Sequence, residues 1–280
     1  MRRSVIALGD RKLAGQYGRV MAAGDLAIEN SDVRSILAAG DIAIRQSKIG
    51  KLRCAGDISA HQTVFNRCKA AGDMKLTGIC KADLMSVYGS LSAQMLESRI
   101  LVNNKVQGND RSICRWTGCI KAETLENRYQ LAVEFDSEVR HYISCGLLKW
   151  KGELQCESFY SFGDLSADIL NAESVFVLVQ EQVRVNGIEG GHIVVSRQFT
   201  PDKRFRSIPQ ENAYGAIQGS GAVAEVASIE GDRIEVENVK AESISGMDVT
   251  VGDLCIIERV EYSNSIQVSE KAIVNEVVRR

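Results

Sequence analysis

Apolar and polar positions along this chain recur in a fixed order. Between residues 17 and 80 the order repeats every 16 residues, as four segments: 17–32, 33–48, 49–64 and 65–80. The fourth place of each is apolar or small: Val20, Ile36, Leu52, Cys68. Two places on, it is small: Ala22, Ala38, Cys54, Ala70. Ala-Gly-Asp follows, and then an apolar residue: Leu26, Ile42, Ile58, Met74. Two places later comes Ile28, Ile44, Ala60 or Leu76. A spacing of two within each stretch is the alternation of a strand. A period of 16 is too short for a helical repeat, which carries two helices in about 33–47 residues. It suits one turn of a parallel β-solenoid, with strands about 4.8 Å apart from turn to turn. A single turn cannot bury its own face, so stacking must supply the stability.

The tripeptide marks one corner of the coil. Gly24, Gly40, Gly56 and Gly72 are expected to turn the chain through positive φ. Asp25, Asp41, Asp57 and Asp73 are expected to hydrogen-bond local backbone N–H groups. Gly163-Asp164 returns to the same frame, and Gly9-Asp10 marks an earlier, imperfect turn. The aspartates should form a row along one edge. Calcium would need six to eight oxygens, so corner hydrogen bonding is the preferred reading over a metal ladder.

Elsewhere the rhythm loosens. Gly89 follows Gly72 by 17, and the segment starting at Trp116 aligns with that starting at Trp150, 34 residues on. Ile229, Ile234, Val239, Ile244 and Val249 recur every five residues, which suits a three-sided turn with one short strand per side. The expected architecture is all-β, a parallel β-helix of about 16–17 residues per turn and about 13–15 turns. Two stretches break it. The polar stretch 97–112 reads as a bulge. The stretch 197–221 holds Pro201, Pro209 and the basic residues Arg197, Lys203, Arg204 and Arg206, and reads as an exposed loop or linker. It would divide a solenoid at 1–196 from further turns at 222–280. Its basic cluster is read as a solvated loop before an anion site.

Composition narrows the function classes. The 280 residues are 45% hydrophobic and 25% charged, with a formal net charge of −2. Nothing in that balance points to a nucleic-acid track or a polybasic membrane anchor. The apolar run 175–179 is far below the ~20 residues of a membrane-spanning helix and reads as a buried strand. The apolar stretch after Arg2 and Arg3 is too short for a secretory leader. Eight cysteines form no CxxC pair, so they read as reduced thiols of a cytoplasmic protein.

Candidate chemistry is sparse. Cys114 and Cys119 have no His near them for zinc, and Cys54 and Cys68 take slots that other turns fill with Ala or an aliphatic. His61, His141 and His192 form no cluster, and no nucleophile has a base at a recognisable spacing. No catalytic, cofactor or metal residue is therefore assigned. Trp116 and Trp150 read as packing residues or corner covers. Tyr129, Tyr142, Tyr160 and Tyr262 are either a groove lining or scattered surface aromatics.

The Gly-Asp turns at 24–73, the segment 156–167 and the C-terminal segments 229–241 and 249–262 together resemble the bactofilins, polymer-forming cytoskeletal proteins of bacteria, in a longer form. The resemblance implies a right-handed coil and nucleotide-independent, end-to-end assembly into filaments. It implies copies of itself as partner, scaffolding of cell-envelope or morphogenesis proteins, and membrane association only through partners. Unpaired strand groups of terminal turns would be the templates, whereas Arg2, Arg3, Arg279 and Arg280 could instead guard those ends. The alternatives are a carbohydrate-active β-helix enzyme and a monomeric binding module.

Overall fold

The computed structural model describes residues 3–104, 113–134, 137–199, 217–218 and 221–280. It is all-β, with about 15 turns of parallel strands stacked as a β-solenoid and no helix among the described residues. Two compact units divide the chain, Met1–Arg140 and His141–Arg280.

In the first unit the expected columns are the interior. Val20 lies opposite Ile36, then Leu52, Cys68 and Met85 on successive turns. Leu26 is followed by Ile42, Ile58, Met74 and Leu91. All of these are buried. Fully burying one such side chain stabilises by about 1.5–3 kcal/mol, which is why the slots accept only apolar residues. The earlier turn is present too, with Ala7 opposite Ala22.

The period lengthens at one identifiable place. His61 pairs with Thr77, 16 residues on, whereas Val64 pairs with Lys81, 17 on. The extra residue falls at Gly78-Ile79, where Gly78 has φ +63° and the Ile79 side chain is exposed. Turning the exposed extra residue outward as a bulge leaves the interior columns in place. The polar stretch from Glu97 begins as ordinary strand, since Leu91–Asn103 is one element. Residues 105–112, the rest of the expected bulge, lie outside the described residues.

The second unit keeps no fixed period, and part of its interior is aromatic. Tyr142 stacks on Phe159 with ring centroids 5.4 Å apart and meets Trp150 edge-on at 5.8 Å. Offsets are 17 for Leu148 and Leu165, 18 for Leu165 and Val183, and 15 for Ile229 and Ile244. The 15-residue turn contains the five-residue rhythm: Ala224, Ile229 and Ile234 lie beneath Val239, Ile244 and Val249, and all are buried. The run 175–179 is buried on both faces. Val175 and Val177 fill interior columns, while Phe176 and Leu178 pack in a second cluster with Ile143 and Phe162.

The strand Val183–Ser196 pairs directly with Ala224–Val236, Val185 opposite Val226. Turns before and after the 197–221 stretch are thus neighbours in one ladder. The stretch leaves and returns as an antiparallel pair, Gln198 opposite Gln218 and Phe199 opposite Ile217. Its base is tied down at Glu237, whose carboxylate accepts from Ser196 Oγ and from the Arg197 N–H, each at 3.3 Å. Most of the expected loop, including Pro201, Lys203, Arg204, Arg206 and Pro209, lies outside the described residues.

Candidate functional site

The Ala-Gly-Asp corners build a continuous ladder on the first unit, but not by local bonds. The N–H of each aspartate donates to the carboxylate one turn earlier. Asp25 reaches Asp10 Oδ1 at 3.1 Å, Asp41 reaches Asp25 at 2.9 Å, Asp57 reaches Asp41 at 2.9 Å and Asp73 reaches Asp57 at 2.8 Å. Ser90 closes the row by donating to Asp73 at 2.7 Å. The expected local hydrogen bond is therefore corrected to a bond between turns. Each carboxylate holds the next corner in register and remains exposed.

The reason for glycine also changes. Gly24, Gly40, Gly56 and Gly72 are not among the residues with positive φ. They are required because the corners stack too closely for a side chain. A methyl group on Gly40 would lie 2.7 Å from the carbonyl carbon of Gly24, and one on Gly56 or Gly72 would lie 2.9 Å from that of the glycine beneath. Gly163 stands over Gly146 in the same way, and Asp164 Oδ1 accepts from the Gln182 N–H at 3.0 Å.

A second corner of the first unit escaped the reading of the sequence. Asn30, Gln46 and Gln62 have φ of 46°, 47° and 47°. Each is followed by a buried hydroxyl, Ser31, Ser47 or Thr63. The Ser31 N–H donates to Ser47 Oγ at 3.1 Å, and the Gly15 N–H donates to Ser31 Oγ at 3.0 Å. The signal was present in the chain: a hydroxyl recurs at the same 16-residue spacing as the aspartates.

Beside the aspartate row runs a groove of about 930 Å³. Its floor is one register column, Lys12, Ala27, Ala43, Ser59, Lys75, Ser92 and Thr117. Small side chains between Lys12 and Lys75 let the surface dip. One wall carries Asp10, Asp25, Asp41, Asp57 and Asp73, and Arg11 and Arg115 also line it. At about 4.8 Å per turn the column is about 30 Å long. It is an extended concave surface with a periodic carboxylate edge, suited to a long ligand more than a compact one.

The remaining candidates are dispersed. His61 Nδ1 lies 3.1 Å from Thr77 Oγ1, and His141 Nδ1 lies 2.9 Å from Ser158 Oγ. Both pairs span one turn, 16 and 17 residues apart, and so act as further ties between turns. His192 lies 3.6 Å from Glu235. All eight cysteines are free. Cys54 and Cys68 occupy the interior, and burial pushes the Cys54 thiol up to about 11 and the Cys68 thiol higher still. Cys114 is buried and donates to Tyr88 O, while Cys119 is partly exposed. Trp116 and Trp150 are interior residues. Tyr142 is fully buried, so the four tyrosines do not line a common groove. Among the described residues no group of three or more His, Cys, Asp or Glu side chains is placed to hold a metal ion. No helix among them is long and apolar enough to cross a membrane.

Comparison with known proteins returned no matching family model, no matching curated protein and no matching solved structure.

Proposed function

We propose that this chain is a non-enzymatic, bactofilin-like scaffold whose copies stack end to end without nucleotide. The observation that carries the reading is an uncovered set of interior columns. Val236 and Val251 are buried beneath Val268, and Ile244 and Val260 beneath Val277, yet Val268 is 43% and Val277 48% exposed. The strand Ile273–Arg279 pairs on one side only among the described residues, with Ile256–Val268. A strand with a free row of N–H and C=O groups and half-covered apolar columns is a template for another turn. Stacking a second copy there would extend both the ladder and the columns.

Electron microscopy of the purified protein, without nucleotide and in high salt, tests this directly. Filaments are expected, and the double substitution Val268→Asp with Val277→Asp should abolish them. A strict monomer at every concentration would overturn the assembly reading while leaving the solenoid intact.

The groove supports a second reading, a monomeric module that binds an extended ligand along the aspartate edge. Saturable glycan or peptide binding that is lost in Ala43→Trp would favour it over the scaffold.

A further inference from the structure

The formal charge of −2 conceals a separation. Residues 1–140 carry 21 Lys and Arg against 15 Asp and Glu, a net +6; residues 141–280 carry 13 against 21, a net −8. Within each unit part of the excess is concentrated on one face of four consecutive turns. In the first unit the paired segments 17–22, 33–38, 49–54 and 65–70 carry Arg19, Arg34, Lys51, Arg53, Arg67 and Lys69 and no acidic residue. All six are exposed. In the second, the paired segments 153–157, 169–173, 187–191 and 228–232 carry Glu153, Glu157, Glu173, Glu189, Glu230 and Asp232 and no Lys or Arg. These are exposed as well.

Like charges are set directly opposite one another across neighbouring strands. Lys51 faces Arg67, Arg53 faces Lys69, and Glu189 faces Glu230. Such pairs destabilise a sheet. Elsewhere the same coil avoids this by pairing opposite charges between turns, as in Lys81 with Glu97 and Lys12 with Glu29. Among the described residues none of the six cations has an ion-pair partner within the chain. Arg19, Arg34, Lys51 and Arg53 also border a depression of about 740 Å³ around Leu37.

We propose that the basic face of one copy docks on the acidic face of a second copy. The two faces are opposite in sign and match in number of charges and in the number of turns they span. Both are built on the spacing of the coil, about 4.8 Å per turn, so successive charges can meet in step. A nucleic acid or an anionic membrane would answer the basic face alone and would be repelled by the unit of net −8. Docking unlike faces is heterologous, so each copy keeps one face of each sign free and the contact propagates unless it closes. This contact is separate from stacking of terminal turns: it is electrostatic and salt-sensitive, whereas the apolar columns are not.

Sedimentation velocity of the full chain, run also with Val268→Asp and Val277→Asp in every variant so that terminal stacking does not contribute, tests it. Association is expected to weaken by about 10-fold or more between about 30 mM and 500 mM NaCl. Arg53→Glu with Lys69→Glu should abolish the low-salt association, and so should Glu189→Lys with Glu230→Lys, with circular dichroism unchanged in both. Mixing the two reversed variants in equal amounts should restore it, because each retains the face that the other has lost. A wild-type monomer at low salt overturns the proposal, as does association that survives both reversals or fails to return on mixing. So does a monomer that co-sediments with phosphatidylserine vesicles, which would assign the basic face to a membrane. Filaments in high salt with no salt-dependent association at low salt would sink this contact and leave terminal stacking standing; salt-dependent pairing at low salt with no filaments in high salt would do the reverse.

Discussion

The strict turns of the first unit and the irregular turns of the second solve the same problem with different parts. In the strict turns of the first, the corner is limited by backbone contact and the interior is filled mainly by Ala, Cys and aliphatic residues, with Phe65 as the one ring. The carboxylate ladder and the buried hydroxyls fix the turns at a spacing of 16. In the second, offsets range from 15 to 18 apart from the 41 across the 197–221 stretch, and the rings of Tyr142, Phe159 and Trp150 pack together in the interior. Regular sequence accompanies backbone-limited stacking. Where side chains set the packing, turn length is free to vary, because bulges and substitutions of volume absorb the difference.

The largest effect should come from the aromatic side of this comparison. Phe159 is fully buried against Tyr142, so Phe159→Ala should destabilise the second unit by about 3–5 kcal/mol, from lost burial and the cavity left behind. The midpoint of urea unfolding, followed by near-ultraviolet circular dichroism, measures it. Tyr142→Phe should be neutral or slightly stabilising, since the buried Tyr142 hydroxyl has no hydrogen-bond partner among the described residues. A loss under about 1 kcal/mol for Phe159→Ala would show that the rings do not carry the packing of the second unit's interior.

The corner glycines give the next effect. Gly56→Ala forces a methyl group against the carbonyl of Gly40, and overpacking of this kind costs about 1–3 kcal/mol or more. Gly9 belongs to the same motif in the earlier turn, but a methyl group there meets nothing within 4 Å. Gly9→Ala should therefore be neutral. Equal losses at the two positions would mean that conformation, not stacking distance, makes the residue glycine.

How far the sequence alone reaches follows the same division. The columns through Val20 and Leu26 were legible because each turn repeats the same slot with the same kind of residue. The five-residue rhythm from Ile229 was legible for the same reason. The role of Gly40 was not, because positive φ and close stacking select the same residue and only the distance to Gly24 separates them. Asp41 was recognised as a corner residue, but its partner lies one turn away and cannot be read from neighbours in the chain. The groove over Ala43 and Ser59 exists only once the column is assembled. Phe176 and Leu178 looked like half of a buried strand, and the second cluster on their outer side depends on Ile143 and Phe162 from other turns. Charge separation was hidden by a near-zero total and emerged only when the units were divided between Arg140 and His141.

The smallest effect compares one thiol from each region. Burial raises Cys54 to about 11 and Cys156 to about 12 from an ordinary value of 9.0. A raised thiol keeps its proton in the folded state after the unfolded chain has lost it. Their contribution to stability is thus complete below pH 9 and is lost as pH rises toward 11 and 12. Reactivity reports the same shift near neutrality. At about pH 8 the folded Cys54 thiolate is roughly 100-fold scarcer than that of an unfolded thiol, so iodoacetamide should label it about 100-fold more slowly. Cys119, partly exposed, should label first, and all eight should label together in denaturant. Native labelling of Cys54 as fast as Cys119 would show that the strict turns open as readily as the protein surface. Slow labelling of Cys54 with faster labelling of Cys156 would instead place the looser packing in the aromatic unit, where turn length varies.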